Sequence, residues 1–418
     1  MANKKILVLG GANGRFNLGD DAMFESLIEA INSRREYKII TDGLPGWNSK
    51  LVDEVLPFAF LSFKNVRLKW LTCYLRFYFI FFWLWVYKIF NLLPPDPILK
   101  IYIKKIEKVD LVIFAGMGAM TDKFGHYGII TRGVITRIAK YFQKPVIISG
   151  NGIGPIRNPR LTSVAKKYIK GVEKIFVRDK IYSKKELLSI GYPEDKIVEA
   201  IDDAYFYQTS QDEIDEAKKI LQSLSLDKGK FVVVNLHDWN PRIKDELFKK
   251  THEALKGSAS DYQLLLLPNY FSSRMDDREI LADFQKYLKH QGLECKLLKE
   301  QITPGITKEI LKKADFSIAT RYHIGVFSLS AGRPTVLIML DSGYYIQKMI
   351  GILDWYGLEE FALDYRSPQL GNKIKKIAAD NQDLSKKIIQ INKDFDMMGF
   401  QSAEYIKKLL NKISHGKN

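Results

Sequence analysis

Residues 314–338, ADFSIATRYHIGVFSLSAGRPTVLI, constrain the fold more than any other stretch. Residues 316–319 read as a short buried strand, 324–331 as a short apolar helix closed by Gly332, and 334–339 as the next strand. Strand, helix, strand in so few residues is a crossover unit, and crossovers make parallel sheets. In open α/β sheets, ligands sit beyond the carboxyl ends of the strands. Thr320, Arg321, Tyr322 and His323 stand at that position. The helix N-terminus there favours an anion. Arg321 adds a planar fork for a carboxylate or phosphate, and His323 a group that titrates near neutral pH. An anion site is one reading; a surface arginine and a capping histidine is the other.

The same rhythm runs along the chain. Strand patterns fall at 5–9, 37–41, 110–115, 145–149, 174–177 and 197–201. They return at 231–236, 262–267, 295–298, 316–319 and 335–339. Helical spacing fills the intervals. Asp20 stands where a helix N-cap belongs, and Ser183-Lys184-Lys185-Glu186 has the form of a capping box. The expectation is two Rossmann-like, doubly wound α/β domains facing across a cleft, residues 1–207 and 213–370, joined by a linker at 208–212. Residues 371–418 are expected to be helices packing across or back over the first domain.

Residues 57–95 break the rhythm. From 55 to 95 there is no acidic residue, and an aromatic block, FYFIFFWLWVY, fills 77–87. That block is too short to cross a bilayer, which needs about 20 apolar residues. Aromatic rings and basic stems together suit the headgroup interface. The expectation is an interfacial membrane element; a buried helix pair or an oligomer contact is the alternative.

The chain carries 64 Lys and Arg against 48 Asp and Glu, a net +16. That balance favours anionic partners: nucleic acid, lipid or substrate. Two cysteines, Cys73 and Cys295, form no disulfide or metal pattern and suit a reducing, cytoplasmic setting. The six histidines are scattered, so no metal site is expected. The first glycine loop lacks the dinucleotide fingerprint, because Ala12 stands where the second glycine should. Walker A, GxSxG and HExxH patterns are absent.

Instead, distinctive loops collect at strand ends: Asn17 to Asp20, Gly116 to Ala119, Gly150 to Pro155, Val177 to Asp179, Asp202 to Ala204, and Arg321 to Pro334. In that order they resemble the polysaccharide pyruvyl transferase family, over roughly residues 5–350. The resemblance implies a GT-B-like fold. It implies transfer of the pyruvyl group of phosphoenolpyruvate, as a ketal, onto a sugar of a cell-surface glycan or its lipid-linked precursor. Phosphoenolpyruvate is then a co-substrate, with no other cofactor and no nucleic-acid partner. The setting would be the cytoplasm, peripheral at the inner face of the membrane. By resemblance, Arg321 and His323 belong to the phosphoenolpyruvate pocket, and Arg178 is a candidate for it. His323 and Asp20 are the candidate acid–base pair. Asn17, Gly19, Gly152, Gly154, Asp202 and His237 are candidate substrate contacts. Two departures stand out. Met117 replaces a glycine, and His237, in the step Leu236-His237-Asp238-Trp239, stands where many relatives carry Arg. A nucleotide-sugar glycosyltransferase of the same architecture is the competing activity, with Glu309 its candidate nucleotide-binding acid. A non-catalytic membrane scaffold is a third class.

Overall fold

The computed structural model describes residues 4–11, 13–58, 66–118, 120–123, 126–237, 240–272, 275–341 and 343–415. Ala119, Asp238, Trp239 and residues 59–65 of the insert, all part of the sequence reading, lie outside that set. The chain divides into two compact units. The first holds residues 1–14, 23–203 and 400–418, and the second holds 15–22 and 204–399. The break falls at Asp203, and the short segment 15–22, which the sequence puts with the first domain, belongs to the second unit.

The first unit is built on seven strands: β1 (Lys4–Leu9), β2 (Tyr37–Gly43), β3 (Glu54–Pro57), β4 (Leu111–Phe114), β5 (Val146–Asn151), β6 (Lys174–Val177) and β7 (Ile197–Glu199). Their order is β3-β2-β1-β4-β5-β6-β7, all parallel. Helices α1 (Leu18–Asn32), α2 (Val66–Phe90), α3 (Pro97–Lys108), α4 (Tyr127–Tyr141), α5 (Pro159–Ile169) and α6 (Tyr182–Ser189) provide the crossovers. The strands are buried on both faces, so they read as continuous apolar runs rather than alternations. One face packs Leu7, Val112 and Ile148 under α4 and α5; the other packs Ile6, Val8 and Ile147.

Local chemistry sets the helix starts. Asp96 accepts the N–H groups of Ile98 and Leu99, with Pro97 at the first position, and so opens α3. Asn158 and Pro159 do the same for α5. The expected capping box at Ser183 is corrected here. The Asp179 carboxylate, one turn earlier, accepts the Ser183 N–H at 2.8 Å and its hydroxyl, while Glu186 accepts the N–H of Ile156 at 3.1 Å. Asp20 is not an N-cap either. The helix begins at Leu18, so Asp20 lies in its first turn and takes a hydrogen bond from Asn17 Nδ2 at 2.8 Å. The aromatic stretch forms one long helix, α2, rather than a pair.

The second unit repeats the plan. Its strands are β8 (Phe231–Asn235), β9 (Gln263–Leu266), β12 (Lys296–Leu297), β13 (Phe316–Ala319), β14 (Thr335–Met339) and β15 (Ala362–Asp364), with a two-stranded ribbon of β10 (Phe271–Ser272) and β11 (Met275–Asp276) between β9 and β12 in the chain. The parallel sheet runs β12-β9-β8-β13-β14-β15. Helices α7 (Gln211–Ser223), α8 (Lys244–Lys256), α9 (Asp277–His290), α10 (Pro304–Lys313), α11 (Tyr322–Ser330), α12 (Tyr344–Asp354) and α13 (Leu370–Met398) connect and cover it. Ser210 and Glu213 form a true capping box at α7. The final helix, α14 (Gln401–His415), returns to the first unit, where Ala403, Ile406 and Leu410 are buried. Chain order reverses between β8 and β13, and at such a switch point the loops after the two strands diverge and leave a crevice.

Candidate functional site

The loops that leave β8 and β13 supply the centre of the site in the second unit. Asn235 ends β8. Its side-chain oxygen accepts the Arg321 N–H at 3.2 Å, and its amide donates to the Leu267 carbonyl at 2.8 Å. It thereby ties the β9 and β13 loops together. Thr320 follows β13, and its hydroxyl oxygen accepts the His237 N–H at 2.9 Å and lies 2.7 Å from His237 Nδ1. His237 Nε2 lies 2.7 Å from the hydroxyl of Tyr345. Burial, then the positive charges of Arg321 and Lys348, push the His237 pKa well below the ordinary histidine value. The ring is therefore neutral, a hydrogen-bonding spacer rather than a cation.

Arg321 stands at the N-terminus of α11. Its Nε lies 3.2 Å from each oxygen of Asp277 and its Nη2 2.6 Å from Oδ1. Burial opposes the charge, but the Asp277 carboxylate outweighs burial and holds the guanidinium protonated. The pair is 16% and 0% exposed, and the guanidinium lies 5.2 Å from the Tyr270 ring. Asp277 also accepts the Asn269 N–H at 3.1 Å. Tyr345 is buried against His237, and the half-buried Lys348 ammonium lies 5.2 Å and 5.1 Å from the rings of Tyr322 and Tyr344. Their helix, α12, packs on β14 beside the switch point, which the helical pattern alone does not reveal.

Segment 15–22 completes this site. Asn17 forms an antiparallel bridge with Tyr270, and the Leu18 N–H donates to the Asn269 carbonyl at 3.2 Å. This seats Gly19 on His323, which is 5% exposed and lies edge-on to Tyr322 and tilted against Phe327. A Cβ built on Gly19 would fall on the imidazole ring itself, so only glycine admits this approach. Asn17, Gly19, Asp20, His237, Arg321 and His323 are thus gathered in one unit, although they are some 300 residues apart in sequence.

Arg178, Gly152, Gly154 and Asp202 belong to the first unit. Arg178 Nη1 lies 3.0 Å from Asp202 Oδ2 in a pair that is 3% and 0% exposed. Asp202 therefore compensates the charge of Arg178 within the unit. A Cβ on Gly152 would come 3.2 Å from Arg178 Nε, while Gly154 holds a φ of +89° that a side chain would strain. Beside them, burial pushes the Asp203 carboxyl up to about 8. The Ser149 hydroxyl lies 2.6 Å from Asp203 Oδ2 and 2.7 Å from Ser402 Oγ. Burial outweighs the Ser149 hydrogen bond, which favours the ionised form.

That protonation has a measurable sign. A carboxyl whose pKa is raised on folding binds a proton in the native state that the unfolded chain has released. Its contribution to stability is therefore lost as pH rises from about 4 to about 8. Asp203→Asn should raise the melting temperature more at pH 8 than at pH 5. An equal gain at both pH values would show the carboxyl to be ionised.

Sequence reading missed Asp277, Asn235, Asn269 and Tyr270. Asp277 follows another aspartate at a helix start, where acids are ordinary, so its site role carries no local signal. Glu309, the acid required by the competing activity, sits on α10 beside Lys312, 3.4 Å away. Among the described residues, no group of three or more His, Cys, Asp or Glu side chains is placed to hold a metal ion.

The family model for polysaccharide pyruvyl transferases matches residues 17–342. The chain belongs to the polysaccharide pyruvyl transferase family. Its match begins at Asn17 and so takes in both the segment that seats Gly19 and the Arg321–His323 loop. The family makes the chain a transferase of polysaccharide biosynthesis. No curated protein matches it by sequence. Solved structures match in fold. HepE of Anabaena, in complex with UDP and glucose, has 13% identity and a TM-score of 0.56, covering 98% of this chain and 100% of that one. The UDP-N-acetylglucosamine 2-epimerase of Rickettsia bellii has 12% identity and a TM-score of 0.60, covering 99% and 97%. A glycosyltransferase of Rickettsia africae has 13% identity and a TM-score of 0.57, covering 99% of both chains. The fold class is α/β and GT-B-like, as the family motifs imply.

Proposed function

We propose that the chain transfers the pyruvyl group of phosphoenolpyruvate to a sugar of a cell-surface glycan or its lipid-linked precursor, forming a ketal and releasing phosphate. The observation that carries the reading is the seating of the Asn17–Asp20 turn on His323, beside Arg321, at the carboxyl ends of β8 and β13. Arg321, Lys348 and the first-turn N–H groups of α11 supply positive potential for a carboxylate and a phosphate on adjacent positions of one small molecule. Asp277 keeps the guanidinium oriented. His237, kept neutral, spaces Thr320 from Tyr345 without adding charge.

Ketal formation consumes two sugar hydroxyls. One oxygen adds to C2 of phosphoenolpyruvate as the methylene carbon takes a proton and becomes methyl. The second displaces phosphate. Two hydroxyl protons are released, one reaching the methylene carbon and one leaving with phosphate. His323 donates to the methylene carbon and Asp20, oriented by Asn17, accepts from the sugar hydroxyl. A positioned acid–base group contributes about 10²–10⁴-fold.

Incubation with phosphoenolpyruvate and a sugar or lipid-linked acceptor should release phosphate and add one pyruvyl group to the acceptor's mass. No phosphate release with any acceptor tried would count against the reading. The fold shared with HepE, whose structure holds UDP and glucose, favours a second reading, a nucleotide-sugar glycosyltransferase. That reading gains if UDP raises the melting temperature and phosphoenolpyruvate does not.

A further inference from the structure

Among the described residues, one face of α2 is exposed along most of its length. Among the described residues, ten of the seventeen strongly exposed large hydrophobic side chains lie between residues 71 and 92. On α2 the spacing of Leu71, Leu75, Tyr78, Phe82, Trp85 and Ile89 puts all six within one stripe of a 3.6-residue helix. Each is 46% to 53% exposed, apart from Phe82 at 54%. From Leu71 to Ile89 the stripe runs about 27 Å. An unbroken apolar surface of this extent on a protein marks an interaction site.

The opposite face is held by the protein. Phe77, Ile80 and Leu84 are wholly buried. The Arg137 guanidinium lies 3.6 Å from the Phe77 ring centre and donates to its carbonyl, and Arg76 pairs with Asp96 at the start of α3. Residues 73–90 are long and apolar enough to cross a membrane by length and composition, with 33% of that window buried in the protein. Crossing would strip Phe77, Ile80 and Leu84 from the core and carry Arg76 out of its ion pair. The helix is therefore suited to lie along a surface rather than to span one.

We infer that the outer face of α2 docks on an anionic lipid bilayer. The occupant follows from charge and residue type. The helix has no acidic residue and ends in the exposed Lys88. An exposed lysine of α5 flanks it, with the Lys167 ammonium 5.3 Å from the Tyr78 ring. Tyr, Trp and Phe with basic stems fit the headgroup region, where rings sit at the interface and ammonium groups reach lipid phosphates. A second copy fits less well. Symmetric pairing would bring like charges together, with no acidic residue on the helix to complement them. The surface would act whichever group the site in the second unit transfers.

The test is co-sedimentation of the full chain with phosphatidylcholine vesicles, with and without a minority of phosphatidylglycerol. Binding to the anionic vesicles should exceed binding to the neutral ones by about tenfold or more, each basic group near the surface adding to the attraction. Phe82→Ser with Trp85→Ser should lower anionic-vesicle binding about tenfold or more at an unchanged melting temperature, since both side chains are over half exposed. Light scattering without vesicles supplies the other arm. The inference is overturned if the wild type does not sediment, if the double variant sediments equally, or if neutral vesicles bind as well. It is also overturned if the wild type is a dimer that the double variant breaks and no vesicle binding is seen.

Discussion

Arg321→Ala will lower the proposed pyruvyl transfer by about 10²–10³-fold, the loss expected when one oriented donor to a developing or bound anion is removed. It will also destabilise the second unit by about 3–5 kcal/mol, because Asp277 is left buried without its counter-charge. The two effects separate in a double variant. In Arg321→Ala with Asp277→Asn the buried carboxylate is gone, so the melting temperature should recover most of the loss. Activity should not recover, because nothing replaces the guanidinium at the head of α11. Turnover at the wild-type rate in the double variant would remove Arg321 from the site. Recovery of neither stability nor activity would point to the neutral network of Asn235, Thr320 and His237 as the feature that depends on Arg321.

The second large effect belongs to Gly19. Its Cα rests on the His323 ring, so Gly19→Ala must push the imidazole aside or part segment 15–22 from the Asn269–Phe271 loop. Overpacking of this kind costs about 1–3 kcal/mol. The displaced ring should cost about 10²–10⁴-fold in turnover, close to the effect of His323→Ala. The two substitutions address one contact, so they should not add. Gly19→Ala with His323→Ala should be no slower than His323→Ala alone, and more stable than Gly19→Ala alone, since the clash is gone. Steady-state kinetics and thermal melts of the four proteins measure both terms. Wild-type turnover and melting in Gly19→Ala would mean that the turn does not position His323.

Much of the scaffold is legible from local pattern. The strands at 174–177, 316–319 and 335–339 lie where their apolar runs put them. Runs such as Val232, Val233 and Val234 are buried on both faces of a parallel sheet, so they stand out against amphipathic helices. The strands that escape notice are short or lie at edges. β3 and β15 are edge strands, and β10 and β11 hold two residues each. Such strands need little apolar surface, so their composition resembles that of loops. Ser183 shows the limit of local motifs. Its pattern suits a capping box, yet a carboxylate outside the helix, on Asp179, takes its place.

The order of motifs along the chain was enough to determine the fold class and the family resemblance, and to single out Arg321 and His323 as candidates. Each depends on residue type and on neighbours a few positions away. Tertiary structure alone decided that Asn17, Gly19 and Asp20 leave the unit that surrounds them in sequence and close on His323. It alone supplied Asp277 as the counter-charge of Arg321, kept His237 neutral, and turned one face of α2 inward while leaving the other bare. The physical reason is the same in each case. Burial and charge compensation depend on what lies across a loop or a sheet, and chain order does not specify that distance.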